Sequence, residues 1–282
     1  MKKIIITGAS GFIGKSLVKE FRKETFELIT YSSRQGDIKS NLFWENIPKA
    51  NILIHLAGKT YVPQSWEDPS EFLQTNSIAI LNAINYCKKY KTRLIFLSSY
   101  IYKNSKDPLD EKSPITANNP YALSKLIAEE ICLFYKKTQN LDVIILRPFN
   151  VFGPYQDDIF LIPKVIKQII GKKNISVFDI NPKRDYIYVY DLIDLIKKVI
   201  YYDGKENIFN VGTGKSYSVL DVINLLQKVL NTNLPIETLS KERPMEINKT
   251  TANIDLAKNE LNWYPKYSME EALRDLIKRE KE

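Results

Sequence analysis

Tyr121 and Lys125 stand four residues apart, a Y-x-x-x-K spacing. On a helix, residues i and i+4 share a face. The ammonium then lies near the phenol and lowers its pKa by charge proximity, so that the phenol can exchange a proton near neutral pH. The spacing alone is cheap: with 17 tyrosines and many lysines it should arise about twice by chance. It recurs at Tyr102/Lys106 and at Tyr201/Lys205. Tyr102 leads into the loop-like run Lys103-Asn104-Ser105-Lys106-Asp107-Pro108, and Tyr201 leads into Asp203-Gly204. Tyr121 alone follows a proline at the head of a long helical pattern, which selects the Tyr121/Lys125 pair. Ser98-Ser99 closes the apolar run Arg93–Leu97. A hydroxyl at such a strand end can hydrogen-bond a substrate oxygen and relay its proton to Tyr121, although in isolation a serine pair there reads as a cap.

A second group of residues could hold an anion. Gly8, Gly11 and Gly14 directly follow the apolar run Lys3–Thr7 and open a helical pattern. Gly8 permits a tight turn, Gly11 lets the backbone approach a pyrophosphate, and Gly14 permits close helix packing. The free N–H groups at the helix start complete a dinucleotide site. An acid at the end of the second strand would bind the ribose 2′-hydroxyl of NAD. This strand ends Tyr31-Ser32-Ser33-Arg34 instead. Ser32 and Ser33 can donate to a 2′-phosphate and Arg34 can pair with it bidentately, so NADP(H) is favoured and NAD(H) remains possible. Asp37 and Ile38 follow so soon that the usual helix between the second and third strands is expected to be absent.

These residues need a scaffold, and the chain alternates short apolar runs with helical patterns. Strands are expected at Lys3–Thr7, Glu27–Tyr31, Asn51–Leu56, Arg93–Leu97 and Val143–Leu146, and helices after Phe12, at Ile78–Tyr90 and at Tyr121–Lys137. Continuous apolar strands separated by helices indicate a parallel sheet covered on both faces, and right-handed crossovers make it doubly wound. The expected fold is α/β, a Rossmann-type doubly wound parallel sheet over residues 1–152 with a smaller C-terminal α/β substrate lobe over 153–282. The chain is allowed to cross between the two. Helices Ile162–Ile170, Asp191–Tyr202 and Val219–Leu230 and a short strand Ile175–Phe178 are expected in the lobe.

Composition excludes several classes. Cys87 and Cys132 cannot form a disulfide scaffold, and with His55 the only histidine no Cys/His metal site is expected. The net charge of +8 comes from dispersed lysines with no basic block, so a nucleic-acid partner is not expected, while an anionic small substrate is. The apolar run after Met1-Lys2-Lys3 is too short for a signal peptide. No stretch reaches the ~20 apolar residues of a membrane helix. A cytoplasmic protein without a membrane partner is expected.

Thr7-Gly8-Ala9-Ser10-Gly11-Phe12-Ile13-Gly14, with its G-x-x-G-x-x-G spacing, resembles the opening of the extended short-chain dehydrogenase/reductase family, also called the NAD-dependent epimerase/dehydratase family. The resemblance extends along nearly the whole chain. Pro120-Tyr121-Ala122-Leu123-Ser124-Lys125 resembles the family's P-Y-x-x-S-K, and His55-Leu56-Ala57-Gly58 resembles the strand-end loop that passes the cofactor. Ser98-Ser99-Tyr100-Ile101-Tyr102 resembles S-S-x-x-x-Y-G, one residue short and with Lys103 in place of glycine, which leaves Ser98 and Ser99 both as candidates, with Ser99 preferred. Leu146-Arg147-Pro148-Phe149-Asn150-Val151-Phe152-Gly153-Pro154, Arg184-Asp185-Tyr186-Ile187-Tyr188-Val189, Asn210-Val211-Gly212-Thr213-Gly214 and Arg243-Pro244 resemble segments of the sugar-nucleotide branch. The resemblance implies Tyr121, Lys125 and Ser99 or Ser98 as catalytic. It implies that Gly8, Gly11, Phe12, Ile13, Gly14, Leu56 and Ala57 touch the cofactor, with Asp37 and Ile38 near its adenine. It implies that Asn150, Arg184 and Arg243 hold the diphosphate and nucleotide of a sugar substrate. Arg184 has a bland alternative, pairing with Asp185 or Asp179.

The resemblance also frames the reaction. A 4,6-dehydratase of this family carries an Asp-Glu pair after the hydroxyl residue, where this chain has Tyr100-Ile101. The missing acid at the second strand favours a reductase that consumes NADPH. The expected activity is reduction of a nucleotide-diphosphate-linked 4-keto-6-deoxy sugar for surface-polysaccharide synthesis. The alternative is an NAD-dependent nucleotide-sugar 4-epimerase of the UDP-hexose type. A catalytically dead regulator would need the glycines but not Tyr121 with Lys125. Relatives often pair as homodimers through the Y-x-x-x-K helix, and Ile127, Ile131, Phe134 and Tyr135 would suit either such an interface or a core face.

Overall fold

Runs of branched apolar residues demand burial on both sides, and four of the first five such runs receive it, while Glu27–Tyr31 at the sheet edge is only partly buried. In a computed structural model, which describes residues 1–102, 107–239 and 247–281, Lys3–Thr7 (β1), Glu27–Tyr31 (β2), Ile52–His55 (β3), Arg93–Leu97 (β4) and Val143–Pro148 (β5) lie parallel in the order β2-β1-β3-β4-β5. Successive strand side chains point to opposite faces. Ile4 and Ile6 accordingly join one buried cluster and Ile5 joins the other, as Ile52 and Ile54 do against Leu53. The strand ends are in register, with Thr7 beside His55, His55 beside Phe96 and Leu97 beside Leu146. The loops that follow β1, β3 and β4 therefore leave from one edge, where a doubly wound sheet places its ligand.

Asn150–Phe152 (β6), Ile175–Val177 (β7), Lys183–Tyr188 (β8) and Ile208–Val211 (β9) follow, then Ser216–Ser218 (β10), Ile236–Thr238 (β11) and Lys249–Thr250 (β12). β9 adds to the main sheet beside β5, so the sixth strand comes from beyond residue 152. β8 is the hub of a smaller sheet, parallel to β6 and β12 and antiparallel to β10. One apolar cluster runs from Ile4 and Leu17 through Val165 and Leu226 to Leu276, so the two parts share a core.

The structure departs from the sequence expectations in several places, helices among them. A short helix, Asn41–Glu45, stands between β2 and β3 where none was expected. Trp44 explains it: its ring is 6% exposed and its indole N–H donates to Ile38 O at 2.8 Å, and a buried Trp needs such a partner. The helix expected from Ile78 begins at Ile80, after a π-helical stretch Leu73–Ile78. The helix expected at Asp191–Tyr202 runs Val189–Val199. Among the described residues no helix is long and apolar enough to cross a membrane.

Candidate active site

The glycine loop is shaped by lack of space. Gly8 has φ +75°, and a Cβ there would stand 2.6 Å from Ala57 N and 2.8 Å from Leu56 C. A Cβ on Gly14 would stand 2.2 Å from Gly8 O. The loop after β1 therefore seats directly on Leu56-Ala57 after β3. Gly11 differs, since a Cβ there would meet only Gly8 O at 3.3 Å. Gly11 caps the helix Phe12–Phe21 without any side-chain hydrogen bond to the N–H groups, and no acid lies in the first turn. Phe12 and Ile13 open that helix and pack partly buried against the core. Open N–H groups and a positive helix end fit a pyrophosphate.

Ala9 N donates to Tyr31 O at 3.0 Å, which brings the end of β2 to the same place. Ser32 is engaged within its own turn: its N–H and its hydroxyl both donate to Gln35 Oε1. Ser33 and Arg34 are exposed, and so is Asp37, whose Oδ1 accepts from Lys39 N at 2.9 Å. Ile38 offers its carbonyl to Trp44 and to Asn82.

The helix Pro120–Gln139 starts where Asn119 Oδ1 accepts from Ala122 N at 2.8 Å, with a proline in its first turn. Tyr121 and Lys125 then face the ends of β3 and β4. Lys125 Nζ donates to Leu97 O at 2.9 Å and lies 5.1 Å from the Phe96 ring centroid. Burial depresses its ammonium to about 8. The expected lowering of the Tyr121 pKa is not found. Burial pushes the phenol up, an interaction with the Ser99 side chain opposes this, and Tyr100 adds to it. The ammonium is committed to Leu97 O instead. Ser99 is half-buried beside Tyr121, whereas Ser98 Oγ is buried with no hydrogen-bond partner among the described residues. Of the other two tyrosines in a Y-x-x-x-K spacing, Tyr102 is buried with its hydroxyl on Asn210 Oδ1, and Tyr201 is 63% exposed.

Sequence reasoning missed Asn76. It sits in the π-helical stretch, a feature frequent at functional sites, and the polar run Gln74-Thr75-Asn76-Ser77 was its only signal. Asn76 Oδ1 accepts from Lys59 N at 2.8 Å, and its Nδ2 donates to Lys59 O and to Ser124 Oγ. It thus ties the loop after β3 to the Tyr121–Lys125 turn.

His55, the single histidine, is a buried neighbour of this site. Its Nδ1 lies 2.8 Å from Thr7 Oγ1. Burial, and then the charge of Lys125, lower its pKa to about 3. Since the folded value is the lower one, the unfolded chain takes up the proton first. The stability held above the unfolded value of about 6.5 is lost as pH falls towards the folded one. The slope from this group reaches about 1.4 kcal/mol per pH unit. Denaturant titrations between pH 7 and 4 should show His55→Gln with a shallower loss of stability than wild type. Equal slopes would mean that His55 is not held neutral.

Next to Ser99, the Tyr100 ring stacks on Phe149 with centroids 4.9 Å apart, and its hydroxyl donates to Asn150 Oδ1 at 3.2 Å. Asn150 Nδ2 donates to Asp185 O at 3.2 Å, and Asn150 lies opposite Tyr186 of the adjoining strand, which also carries Arg184. Arg184 is half-buried, with Nη1 donating to Lys183 O at 2.9 Å. Asp185 proves to be a structural hub that sequence reasoning passed over. Its carboxylate is fully buried and accepts from Thr213 N, Thr213 Oγ1, Gly214 N and Ala252 N. Asp179, the other bland partner for Arg184, accepts from Asn181. Arg243 and Pro244 lie outside the described residues, as do Lys103 and Lys106. Among the described residues no group of three or more His, Cys, Asp or Glu is placed to hold a metal ion.

The model of the NAD dependent epimerase/dehydratase family matches residues 4–212. The GDP-6-deoxy-D-mannose reductase of Pseudomonas aeruginosa is 28% identical over 299 residues, covering 98% of this chain and 96% of that protein. The UDP-glucose 4-epimerase of Lactobacillus helveticus is 29% identical over 309 residues, covering 94% and 92%. The structure of RMD from Pseudomonas aeruginosa complexed with NADPH superimposes with a TM-score of 0.91 at 27% identity, covering 99% of this chain and 98% of that one.

Proposed function

This chain belongs to the NAD dependent epimerase/dehydratase family, and from that premise we propose that it reduces a nucleotide-diphosphate-linked 4-keto-6-deoxy sugar with NADPH. A nicotinamide dinucleotide oxidoreductase or epimerase acting on nucleotide sugars is the common ground of its relatives, two of which are a GDP-6-deoxy-D-mannose reductase and a UDP-glucose 4-epimerase. The observation that carries the finer reading is the end of β2, where Ser33 and Arg34 stand exposed and Tyr31-Ser32-Ser33-Arg34 holds no acid at the strand end itself.

In this reading Gly8, Gly11, Phe12, Ile13 and Gly14 hold the pyrophosphate, Leu56 and Ala57 line its path, and Asp37 and Ile38 lie at the adenine. Arg34 with Ser32 and Ser33 takes the 2′-phosphate. The nicotinamide, when bound, supplies two-electron reducing power to the keto carbon. Tyr121 gives its proton to the carbonyl oxygen as that oxygen becomes a hydroxyl, and water restores the phenol. A phenol raised by burial is fully protonated at neutral pH, which suits a donor. Ser99 orients the carbonyl oxygen, with Ser98 behind it. Lys125 holds the nicotinamide ribose and places a positive charge near the developing oxyanion. Asn150, Arg184 and Arg243 hold the nucleotide diphosphate, so residues 153–282 serve mainly as the substrate lobe, with β9 returned to the main sheet. We include in the proposal a homodimer through the helix Pro120–Gln139, on which Phe134 and Leu123 are exposed.

The test is binding and turnover of NADPH against NADH with a panel of nucleotide 4-ketosugars. Arg34→Ala should weaken NADPH by about 1.5–3 kcal/mol, the worth of a charge-assisted hydrogen bond, and leave NADH unchanged. A wild type that binds NADH better than NADPH would remove the main support for the reductase. The 4-epimerase reading uses the same residues but leaves no net change in the dinucleotide. Stoichiometric loss of NADPH absorbance with product formation therefore separates the two.

A further inference from the structure

Tyr121, Lys125 and Glu129 follow one another at intervals of four along one helix, so they share a face. Glu129 is 1% exposed, and so is Arg147 of β5. Arg147 Nε lies 3.1 and 3.0 Å from the two carboxylate oxygens of Glu129, and Nη2 lies 2.6 Å from Oε2. Arg147 is anchored in turn. Its Nη1 donates to Tyr102 Oη and to Glu111 O, both at 3.1 Å, and Tyr102 Oη donates to Asn210 Oδ1 of β9. A buried ion pair contributes little net stability, and apolar residues of similar volume often replace it without loss. Its location one turn behind the site lysine therefore calls for another reason.

We propose that Glu129, restrained by Arg147, is the counter-charge of Lys125, and that the pair acts as a positioning unit for that lysine. Among the described residues few charged or titratable groups face Lys125. From its own helix come Glu129 and Cys132, from β3 comes His55, and from β4 come the Phe96 ring and Leu97 O, with Arg147 of β5 behind Glu129. His55 is neutral at working pH because burial and Lys125 lower it to about 3, and burial holds the Cys132 thiol above its ordinary value, so it too is uncharged. The Glu129 carboxylate is thus the negative charge that offsets the cost of burying an ammonium. Arg147 has a separate effect: it occupies both carboxylate oxygens, so Glu129 cannot draw the ammonium away from Leu97 O. Neither Glu129 nor Arg147 touches a reacting atom in this scheme.

The inference rests on Lys125 being the site lysine, but its test reads Lys125 directly in the ligand-free protein and so fails or succeeds apart from the reductase reading. Lysines labelled with carbon-13 at Cε are titrated by NMR, and Lys125→Met identifies the resonance. Glu129→Gln keeps the shape and removes the charge, and should lower the Lys125 midpoint by on the order of one pH unit. The double change Glu129→Leu with Arg147→Met, which leaves no guanidinium stranded, should lower it likewise. Arg147→Lys keeps both charges and should leave the midpoint in place while lowering the melting temperature. The basic limb of NADPH affinity should move with the midpoint. A Lys125 midpoint that stays put in Glu129→Gln and in the double variant, while stability falls, would overturn the proposal. Failure of both variants to fold would do the same, by assigning the pair to architecture.

Discussion

Tyr121→Phe is expected to lower kcat by roughly 100- to 10,000-fold, the usual cost of losing a positioned general acid, with the melting temperature and NADPH affinity near wild type. The ring and its edge-on contact with Phe72, at 6.5 Å between centroids, persist in phenylalanine. Only the hydroxyl beside Ser99 is removed. Lys125→Met is expected to behave differently and to impair both turnover and dinucleotide binding, because in the proposed scheme the ammonium serves both. The measurements are kcat, dinucleotide Kd and a melting curve on each variant. A Tyr121→Phe enzyme that kept near wild-type turnover would move the proton donor elsewhere, with Tyr100, the next residue after Ser99, as the first alternative.

The second large effect falls on stability. Asp185→Ala is expected to destabilise the fold by about 2–4 kcal/mol, because a buried donor left without a partner, as Ala252 N would be, costs about 1–3 kcal/mol, while water recovers part of the loss at half-buried Thr213 and exposed Gly214. The donors are Thr213 N at 2.8 Å, Thr213 Oγ1 at 2.7 Å, Gly214 N at 2.9 Å and Ala252 N at 3.1 Å. Asp185→Asn should fare little better, since its amide N–H₂ would face N–H groups. Denaturant unfolding with an unchanged m-value reads this directly. A loss below about 1 kcal/mol in the alanine variant would show that these loops find other partners. Asp185 joins β8 to the Gly212–Gly214 turn and to the segment after β12. Its loss should therefore also loosen Asn150, which hangs on the Asp185 carbonyl.

Much of the site was legible in the residues because its signals are local. Gly8, Gly11 and Gly14 at the mouth of a β-branched run report a turn that tolerates no side chain, and distances of 2.2 and 2.6 Å to a notional Cβ at Gly14 and Gly8 give the reason. The proline before Tyr121 marks a helix start, which singled out one Y-x-x-x-K spacing among three. Strand bounds at Lys3–Thr7, Glu27–Tyr31 and Arg93–Leu97 followed from apolar runs. The short helix at Asn41–Glu45 was not legible, since its cause is the burial of one ring, Trp44, against strands distant in the chain. Asn76 was hidden for the same reason, because its three hydrogen bonds reach Lys59 and Ser124.

By itself, then, the sequence determined the alternating α/β order, the tight glycine turn after β1, the lack of an acid at the end of β2 and the one-face spacing of Tyr121 with Lys125. These depend on backbone sterics and on periods of two and 3.6 residues, which act within a few positions. The tertiary structure decided where charges settle. It turned Lys125 towards Leu97 O, raised the Tyr121 phenol that the sequence expectation had lowered, set Ser99 rather than Ser98 beside it, and filled Asp185 with donors from two distant turns. The physical reason is desolvation. A protonation state depends on how much water a group has lost and on which dipoles replaced it, and both are set by segments far apart in the chain that only the folded core brings together.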